Sequence, residues 1–409
     1  MKKKKELIYL LAIIVLFGLA IPNTLASSNV IRMRVPQAMG VDYLQLGYGG
    51  MNGGGMGGRY NGNGHSHPHA PSQPFTGQLN RVIQVASTVP ANGEVNPYGV
   101  AVVEDTTGAL VEGDILVSNF NNKANQQGTG TTIVQITPDG TPTLFAQINS
   151  TNLPGACPGG VGLTTALVVL HSGWVIVGSL PTTDGTAATA QDGCLIVLNN
   201  QGKVVETFSG SMINGPWDMT AFEESNHAAL FVTNVLNGTV AANGTVVNQG
   251  TVVRIDLNLS NPGMPKEASS TIIGSGFSQR TDPAALVIGP TGVALSADGT
   301  LYVADSLANR TAAIPNAVQR QTSAGRGLTV SANGAINIPL GLTMAPNGDI
   351  IIANGGDGNL VEISPNGNQV AVKTVEQGGA GTLFGLAIAP MTAGVYFVDD
   401  GTNALNLLQ

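Results

Sequence analysis

The chain contains few charged or aromatic residues, and it lacks any long helical hydrophobic repeat. Only 10% of its 409 residues are Asp, Glu, Lys or Arg, and 5% are aromatic. Because Lys and Glu favour exposed helix faces, their scarcity beside 55 glycines and 22 prolines indicates strands joined by many turns. This composition excludes helical bundles and disfavours α/β folds.

Basic residues are few in particular, with 17 Lys and Arg against 25 Asp and Glu. Four basic residues and one acidic residue lie in the first 26 positions, so 13 basic and 24 acidic residues follow, with a net charge of −11. An acidic chain without a basic stripe repels phosphate groups. We therefore expect neither nucleic acid nor an anionic membrane surface as a partner.

Residues 1–26 have the three-part layout of a secretory signal peptide, with lysines at 2–5, an apolar run over 7–20 and small residues near 26. The run of about 14 residues is shorter than the ~20 that a membrane-spanning helix needs. We expect cleavage and a secreted or periplasmic protein that has no membrane contact afterwards. The alternative is an uncleaved anchor lengthened by residues 21–25, against which Pro22 and Asn23 argue.

Residues 27–78 are rich in Gly, His and Pro, and ten glycines fall within residues 47–64. Such a segment has too little apolar surface to offset its chain entropy, which predicts a flexible arm. His65, His67 and His69 occupy alternate positions in it. They can chelate a transition metal weakly, or they can simply belong to a polar linker.

From residue 79 to residue 409 one unit recurs, in which an apolar strand, a short hairpin and a second strand ending in Asn or Asp follow a Gly-containing turn. The clearest copies are 289–310, 339–354 and 383–399. Six anchor positions align, at spacings of 44 to 74 residues: Gly99, Ala166, Asp218, Gly292, Gly341 and Gly385. Four short strands per unit of this length predict an all-β, six-bladed β-propeller.

The best copy contains Tyr302, Val303, Ala304 and Asp305, followed by Asn309 and Arg310. In these residues the chain resembles NHL-repeat propellers. The sequence ends after the third strand of the last unit, while residues 81–85 form an apolar strand without a unit. We expect this N-terminal strand to supply the missing strand and close the ring, which removes two exposed sheet edges.

In propellers, the turns that enter the innermost strands surround one end of the central channel, which we call the mouth. The residues before the anchors predict a mouth ring: Tyr98, Thr165, Trp217, Thr291, Leu340 and Phe384. The ring can form an aromatic ligand-binding patch, or it can pack over the blade cores and plug the channel. Long insertions at 119–130, 178–193 and 234–250 open on this face, and another lies around 258–288.

The second strands end in a polar ring of Asn119, Ser179, Asn234, Asp305, Asn354 and Asp399. Such side chains bond backbone amides of the following turn, which is a sufficient structural role. The alternative is Ca²⁺, which needs six or more converging oxygens. We predict no cofactor and no metal site.

The resemblance extends in architecture to gluconolactonase-like propellers, which hold a divalent metal with carboxylate and Asn side chains before the anchors. Those positions carry no carboxylate here. It also extends to streptogramin-lyase-like propellers, which use a histidine base. His171 and His227 are the only histidines beyond the arm, and they fall in hairpins predicted on the opposite face. Neither catalytic pattern is matched.

Cys157 and Cys194 are the only cysteines, and both are predicted on the mouth face of the second blade. In an exported protein this favours a disulfide. Reactive thiols are the alternative, although no Lys, Arg or His flanks either residue to lower its pKa.

Two hypotheses for function follow. The first is a monomeric, non-catalytic binding module that presents its mouth face to a protein, peptide or glycan. The second is a metal-dependent hydrolase or lyase with a relocated centre, built from Asp218, Asp305 and Asp399. The scarcity of ionisable groups in the mouth ring favours the first.

Overall fold

A computed structural model describes residues 73–260, 264–283, 285–391 and 393–409. The signal peptide and the histidine tract predicted from the sequence lie outside these residues. Among the described residues, no helix is long and apolar enough to cross a membrane.

The described chain begins with a short 3₁₀ helix, η1 (Thr76–Gln78), and is otherwise built almost entirely of strands. The elements up to the second sheet are β1 (Val82–Ser87), β2 (Val95–Val102), β3 (Ile115–Asn121), β4 (Thr132–Ile136), β5 (Pro142–Gln147), β6 (Leu163–Val169), β7 (Val175–Ser179), η2 (Ala187–Thr189), β8 (Cys194–Leu198) and β9 (Val204–Phe208). The middle of the chain forms β10 (Pro216–Glu224), β11 (His227–Asn234), β12 (Val247–Asn258), β13 (Lys266–Asp282), β14 (Leu286–Ile288), β15 (Pro290–Leu295), β16 (Leu301–Asp305), η3 (Ser306–Ala308), β17 (Arg310–Ile314) and β18 (Leu328–Ala332). The last elements are β19 (Pro339–Met344), β20 (Ile350–Asn354), β21 (Asn359–Ile363), β22 (Gln369–Thr374), β23 (Leu383–Ala389), β24 (Gly394–Asp399) and β25 (Ala404–Leu408).

These strands form six antiparallel sheets, and the innermost strands β2, β6, β10, β15, β19 and β23 contact one another in sequence around a ring. The molecule is a six-bladed β-propeller, as the repeat spacing predicts. The middle strands are fully buried, as in β3, β8 and β16, because each blade packs between two neighbours. The outermost strand β22 alternates between half-buried and exposed residues, because it has solvent on one face.

Blade 3 differs from the prediction. The stretch around 258–288, expected to be a long loop, contains the 17-residue strand β13 and the short strand β14, which makes this sheet five-stranded. The pairing of β12 with β13 has four register irregularities, which a strand of that length requires to follow the blade's twist.

The two ends of the described chain lie side by side in blade 6. Strand β1 pairs antiparallel with β25, with Val82 opposite Leu408 and Ser87 opposite Ala404. The sheet order β1-β25-β24-β23 therefore places an N-terminal strand at the outer edge of the last blade.

The glycines at the anchor positions allow neighbouring blades to approach closely at the ring axis. A Cβ atom on Gly341 would lie 1.9 Å from the carbonyl oxygen of Phe384 in the next blade. On Gly385 it would lie 2.4 Å from the carbonyl oxygen of Tyr98, across the junction of blades 6 and 1. The repeated glycine is thus a packing requirement of the ring.

Candidate functional site

The large side chains of the predicted mouth ring converge, but they are buried. Tyr98 stacks on Phe384 with ring centroids 3.9 Å apart, and Trp217 lies 6.4 Å from both. None of these three rings is more than 4% exposed, and Leu340 belongs to the same apolar cluster. Thr165 and Thr291 are also buried. The ring therefore plugs the channel and presents no open aromatic patch.

Side chains that the sequence analysis did not single out cover this plug. Phe120 stacks on Tyr98 at a centroid distance of 4.4 Å. Leu180, Leu236 and Val287, from the segments that follow β7 and β11 and from β14, belong to the same cluster. Leu180 and Leu236 lie in loops without a repeat pattern, and Phe120 and Val287 lie in strands outside the mouth ring, so the repeat gave no signal by which to find them.

Two ionisable groups lie near the plug. Burial raises the pKa of the Tyr98 hydroxyl, and the charge of Asp400 adds to the effect. Burial, followed by the neighbouring charge of Asp399, raises the pKa of Asp400 to about 7.

The polar ring holds loops in place. Asn119 donates to the carbonyl oxygen of Thr88 at 3.0 Å, while Asn234 and Asn354 accept from the backbone N–H groups of Asn214 and Asn337 at 3.2 and 3.0 Å. Each of these contacts ties the second strand to the segment that enters the same blade. The prediction named backbone amides of the following turn; of these three residues only Asn354 also reaches that turn, where it donates to the Asp357 carboxylate at 3.1 Å.

The two carboxylates of this ring have partners of their own. Asp399 accepts from the backbone N–H of Gly401 at 2.9 Å, which is the predicted contact with the following turn. Asp305 is fully buried and is bound by Arg310 at 2.8 Å and by Arg326 at 3.1 Å. Within the described part of the chain, no three His, Cys, Asp or Glu residues form a group that could hold a metal ion. Asp218, Asp305 and Asp399 therefore do not assemble into a metal centre.

Asp218 instead lines a cavity of about 220 Å³ inside the ring. The innermost strands of all six blades contribute to its wall. The Asp218 carboxylate accepts from the backbone N–H of Val293 at 3.1 Å, and burial raises its pKa to about 8. The sequence distinguishes Asp218 because it occupies an anchor position, at which every other blade has glycine or alanine.

His171 and Glu104 lie at the end of the channel opposite the mouth, the face on which the sequence predicted the histidine. His171 contacts Asp105 at 2.7 Å and Glu104 at 3.0 Å, and all three side chains are exposed. The hydrogen bond to Asp105 raises the pKa of His171, and the charges of Glu104 and Glu223 act in the same direction. His227 begins β11, at the hairpin that follows β10.

The predicted disulfide between Cys157 and Cys194 is confirmed, and the described residues contain no free cysteine. Beside it, between the loops that follow β7 and β11, lies a cleft of about 460 Å³ on the mouth face. Its lining combines polar and apolar groups: Pro158, Gly159, Ala190, Gln191, Asp192, Leu236, Gly238, Val240 and Ala241.

The chain is similar to several solved structures. A gluconolactonase from Xanthomonas campestris is 12% identical over 84% of this chain and 98% of its own, with a TM-score of 0.50. A putative gluconolactonase is 14% identical over 82% and 95%, with a TM-score of 0.48. A catalytically inactive virginiamycin B lyase from Staphylococcus aureus is 14% identical over 80% and 85%, with a TM-score of 0.45. At these identities the likeness concerns the fold alone. No protein-family model and no curated protein sequence matches the chain.

Proposed function

We propose that the protein is an exported, non-catalytic binding propeller that holds a protein, peptide or glycan on its mouth face. The cleft between the loops of blades 2 and 3 carries this proposal. It offers a recessed surface of mixed polarity, with exposed Gln191 and Asp192 beside half-buried Val240. Such a combination of hydrogen-bonding groups and apolar contact suits a polypeptide or saccharide chain.

Because the mouth ring is packed into the plug, its aromatic side chains do not contact a ligand directly, and they support the cleft instead. Leu236 belongs to the plug cluster and also lines the cleft, so the packed rings hold one wall of the cleft in position. The disulfide holds the opposite wall, because Pro158 directly follows Cys157. A wall fixed in advance lowers the entropy cost of binding.

The export signal, the monomeric state and the reach that an arm before residue 73 gives to the propeller belong to the same proposal. A disulfide is compatible with a compartment outside the cytosol. N-terminal sequencing of the exported protein should find its first residue close to Ser27.

The proposal is tested by screening the purified protein against a displayed peptide library and a glycan array. We expect Gln191→Ala and Val240→Asp each to weaken the best binder roughly tenfold or more, because both side chains line the cleft. The matched control is Gln201→Ala, in the exposed hairpin between β8 and β9 on the opposite face. Equal affinity of the cleft variants and the control would contradict the proposed site, and so would the absence of any binder.

The enzyme alternative has one observation in its favour, the buried carboxyl of Asp218 with its raised pKa. The separate binding of Asp305 and Asp399 argues against a shared centre. Hydrolysis of a lactone or ester that EDTA abolishes would reverse our preference.

A further inference from the structure

The cavity inside the ring is closed at the mouth and opens on the opposite face. The plug lies over one end, and Thr165 and Asp218 line the cavity directly beneath it. Along β10, burial decreases away from the plug: Met219 is buried, Thr220 is half-buried and Glu224 is exposed. The cavity is therefore a blind channel whose deepest part contains the Asp218 carboxyl.

Polar atoms make up most of the surface that the wall exposes to this channel, and its ionisable groups are acidic. Asp218 and Glu104 are the only ionisable residues among those that line it, and Glu104 lies at the open end. The other contributions to the wall come from residues such as Val100, Leu167, Met219, Val293, Leu342 and Leu386. A buried carboxylate without a cationic partner is unfavourable in such surroundings.

The position of Asp218 makes this group more unusual. Its counterparts in the ring are four glycines and one alanine, which the close approach of neighbouring blades favours. An aspartate at this level introduces both volume and charge where the repeat requires neither. The adjacent blade accommodates it with one hydrogen bond, from the backbone N–H of Val293 to Oδ2 at 3.1 Å.

The channel also contains a polar side-chain atom that has no hydrogen-bond partner. The Thr165 hydroxyl oxygen is buried and makes no hydrogen bond, and Thr165 lines the same cavity as Asp218. A buried hydroxyl without a partner costs free energy, so a ligand that bonds to it gains this contribution. The deep end thus offers a carboxyl group and a free hydroxyl to a ligand.

We propose that this channel binds a small primary ammonium ion, which enters from the face opposite the mouth. The ammonium group donates to the Asp218 carboxylate and to the Thr165 hydroxyl. A divalent metal ion fits poorly, because one carboxylate and one hydroxyl fall short of the six or more oxygens that Ca²⁺ requires. An anion is repelled by the charge of Glu104 and finds no cationic partner among the residues that line the channel.

The rim of the channel favours entry of a cation. Glu104, Asp105 and Glu223 surround the single His171 at the open end, and each lies close enough to raise the pKa of that histidine. Three carboxylates against one imidazole leave this opening negative. Such a field raises the local concentration of a cationic ligand. The site is separate from the mouth-face cleft and does not depend on the function proposed for it.

The test is calorimetric titration of the full propeller with n-alkylammonium chlorides from methyl to hexyl. We expect saturable binding through the ammonium group, with no steady gain in affinity per added methylene, because the exposed wall is mostly polar. Asp218→Asn keeps the shape and the acceptor for Val293, and it should weaken binding roughly tenfold to hundredfold through loss of the charged acceptor. Glu224→Gln, on the same strand but outside the channel, is the matched control and should leave the affinity unchanged.

Proton release provides a second readout, independent of the variants. The free Asp218 carboxyl is mostly protonated at pH 7, since burial raises its pKa to about 8, whereas the ammonium-bound form is a carboxylate. Binding at pH 7 should therefore release close to one proton, which titrations in buffers of different ionisation enthalpy measure. Affinity should rise with pH up to about 8.

Three outcomes would overturn the proposal. One is equal affinity of folded Asp218→Asn and the parent for the alkylammonium series. Another is equal affinity of the parent for pentylammonium and for 1-pentanol, which would show that the channel recognises the chain alone. The third is the absence of saturable binding by any member of the series.

Discussion

At the scale of single residues, Asp218 should make stability depend on pH in a direction opposite to that of a paired carboxylate. Its folded pKa of about 8 lies far above the ~3.9 of an unfolded aspartate, so the folded state holds a proton that the unfolded state has lost. Its contribution to stability is complete below pH ~4 and is lost as the pH rises to about 8.

Replacement of Asp218 by asparagine removes this titration. The free energy of unfolding of Asp218→Asn relative to the parent should therefore rise between pH 5 and pH 8, by at most about 1.4 kcal/mol per pH unit. Urea unfolding at several pH values measures it. Asp349 and Asp400, whose pKa values are also raised, titrate equally in both proteins and cancel in the difference. A difference that is constant with pH would contradict the buried, uncompensated carboxyl.

Single residues of the mouth ring also show where sequence reasoning stops. The repeat placed Tyr98, Trp217, Leu340 and Phe384 at one end of the channel, because equivalent positions of a propeller lie on one circle. Whether they face solvent depends on Phe120, near the end of β3, and on Leu236, in the loop after β11. The repeat pattern does not show which side chains pack over the ring, so the packed plug became evident only in three dimensions.

At the scale of elements, the segment before β1 belongs to the folded part, although the sequence assigned residues up to 78 to the arm. Phe75 and Thr76 donate three hydrogen bonds to the buried Glu362 carboxylate, at 2.6 to 2.7 Å. Burial alone would raise the pKa of Glu362, but these hydrogen bonds outweigh it and hold the pKa below its usual value. Nothing in the composition of this segment distinguishes it from the arm, because the carboxylate that holds it lies 286 residues further along the chain.

Three truncations should separate these elements. A protein that begins at residue 73 should unfold at the same urea concentration as one that begins at residue 27. A start at residue 79 should cost about 1–3 kcal/mol, because Glu362 stays buried without those donors. A start at residue 88 lacks β1 and should not fold cooperatively, because β25 then has an unpaired edge.

Glu362→Gln is the control for the middle truncation. It removes the charge, so it should recover part of the stability lost when the chain starts at residue 79 and should destabilise the longer protein. Equal stability of all three truncations would contradict both the role of η1 and the closure of the ring by β1.

At the scale of the whole molecule, the ring was predictable because it is built from a local unit. Six anchors and the alternation of strands and turns define the blades, and the orphan strand at 81–85 indicated where the last blade would find its fourth strand. The added strand β14 was missed. The segment 286–288 is too short to show the alternation of a strand, and its pairing with β13 depends on the length of β13. The candidate site is less predictable than the ring, since the cleft is lined by loops that do not follow the repeat and the channel is lined by strands from all six blades.

The disulfide joins two parts of blade 2 that shape the mouth face, and the whole molecule should survive its loss. Cys157 precedes β6 and Cys194 begins β8, 37 residues apart. Closure of a loop of this length stabilises a fold by about 3–4 kcal/mol through the unfolded state. Each blade nevertheless retains its own buried strands, so the Cys157→Ser, Cys194→Ser double variant should remain a folded propeller that unfolds at a lower urea concentration.

The binding of a ligand at the cleft should weaken in this double variant as well, because Pro158 and Gly159 lose their covalent attachment to β8. The control is the parent after mild reduction, which should match the double variant in both measurements. An unchanged unfolding midpoint would contradict the stabilising role of the cross-link, and unchanged cleft affinity would show that the loop holds its position without it.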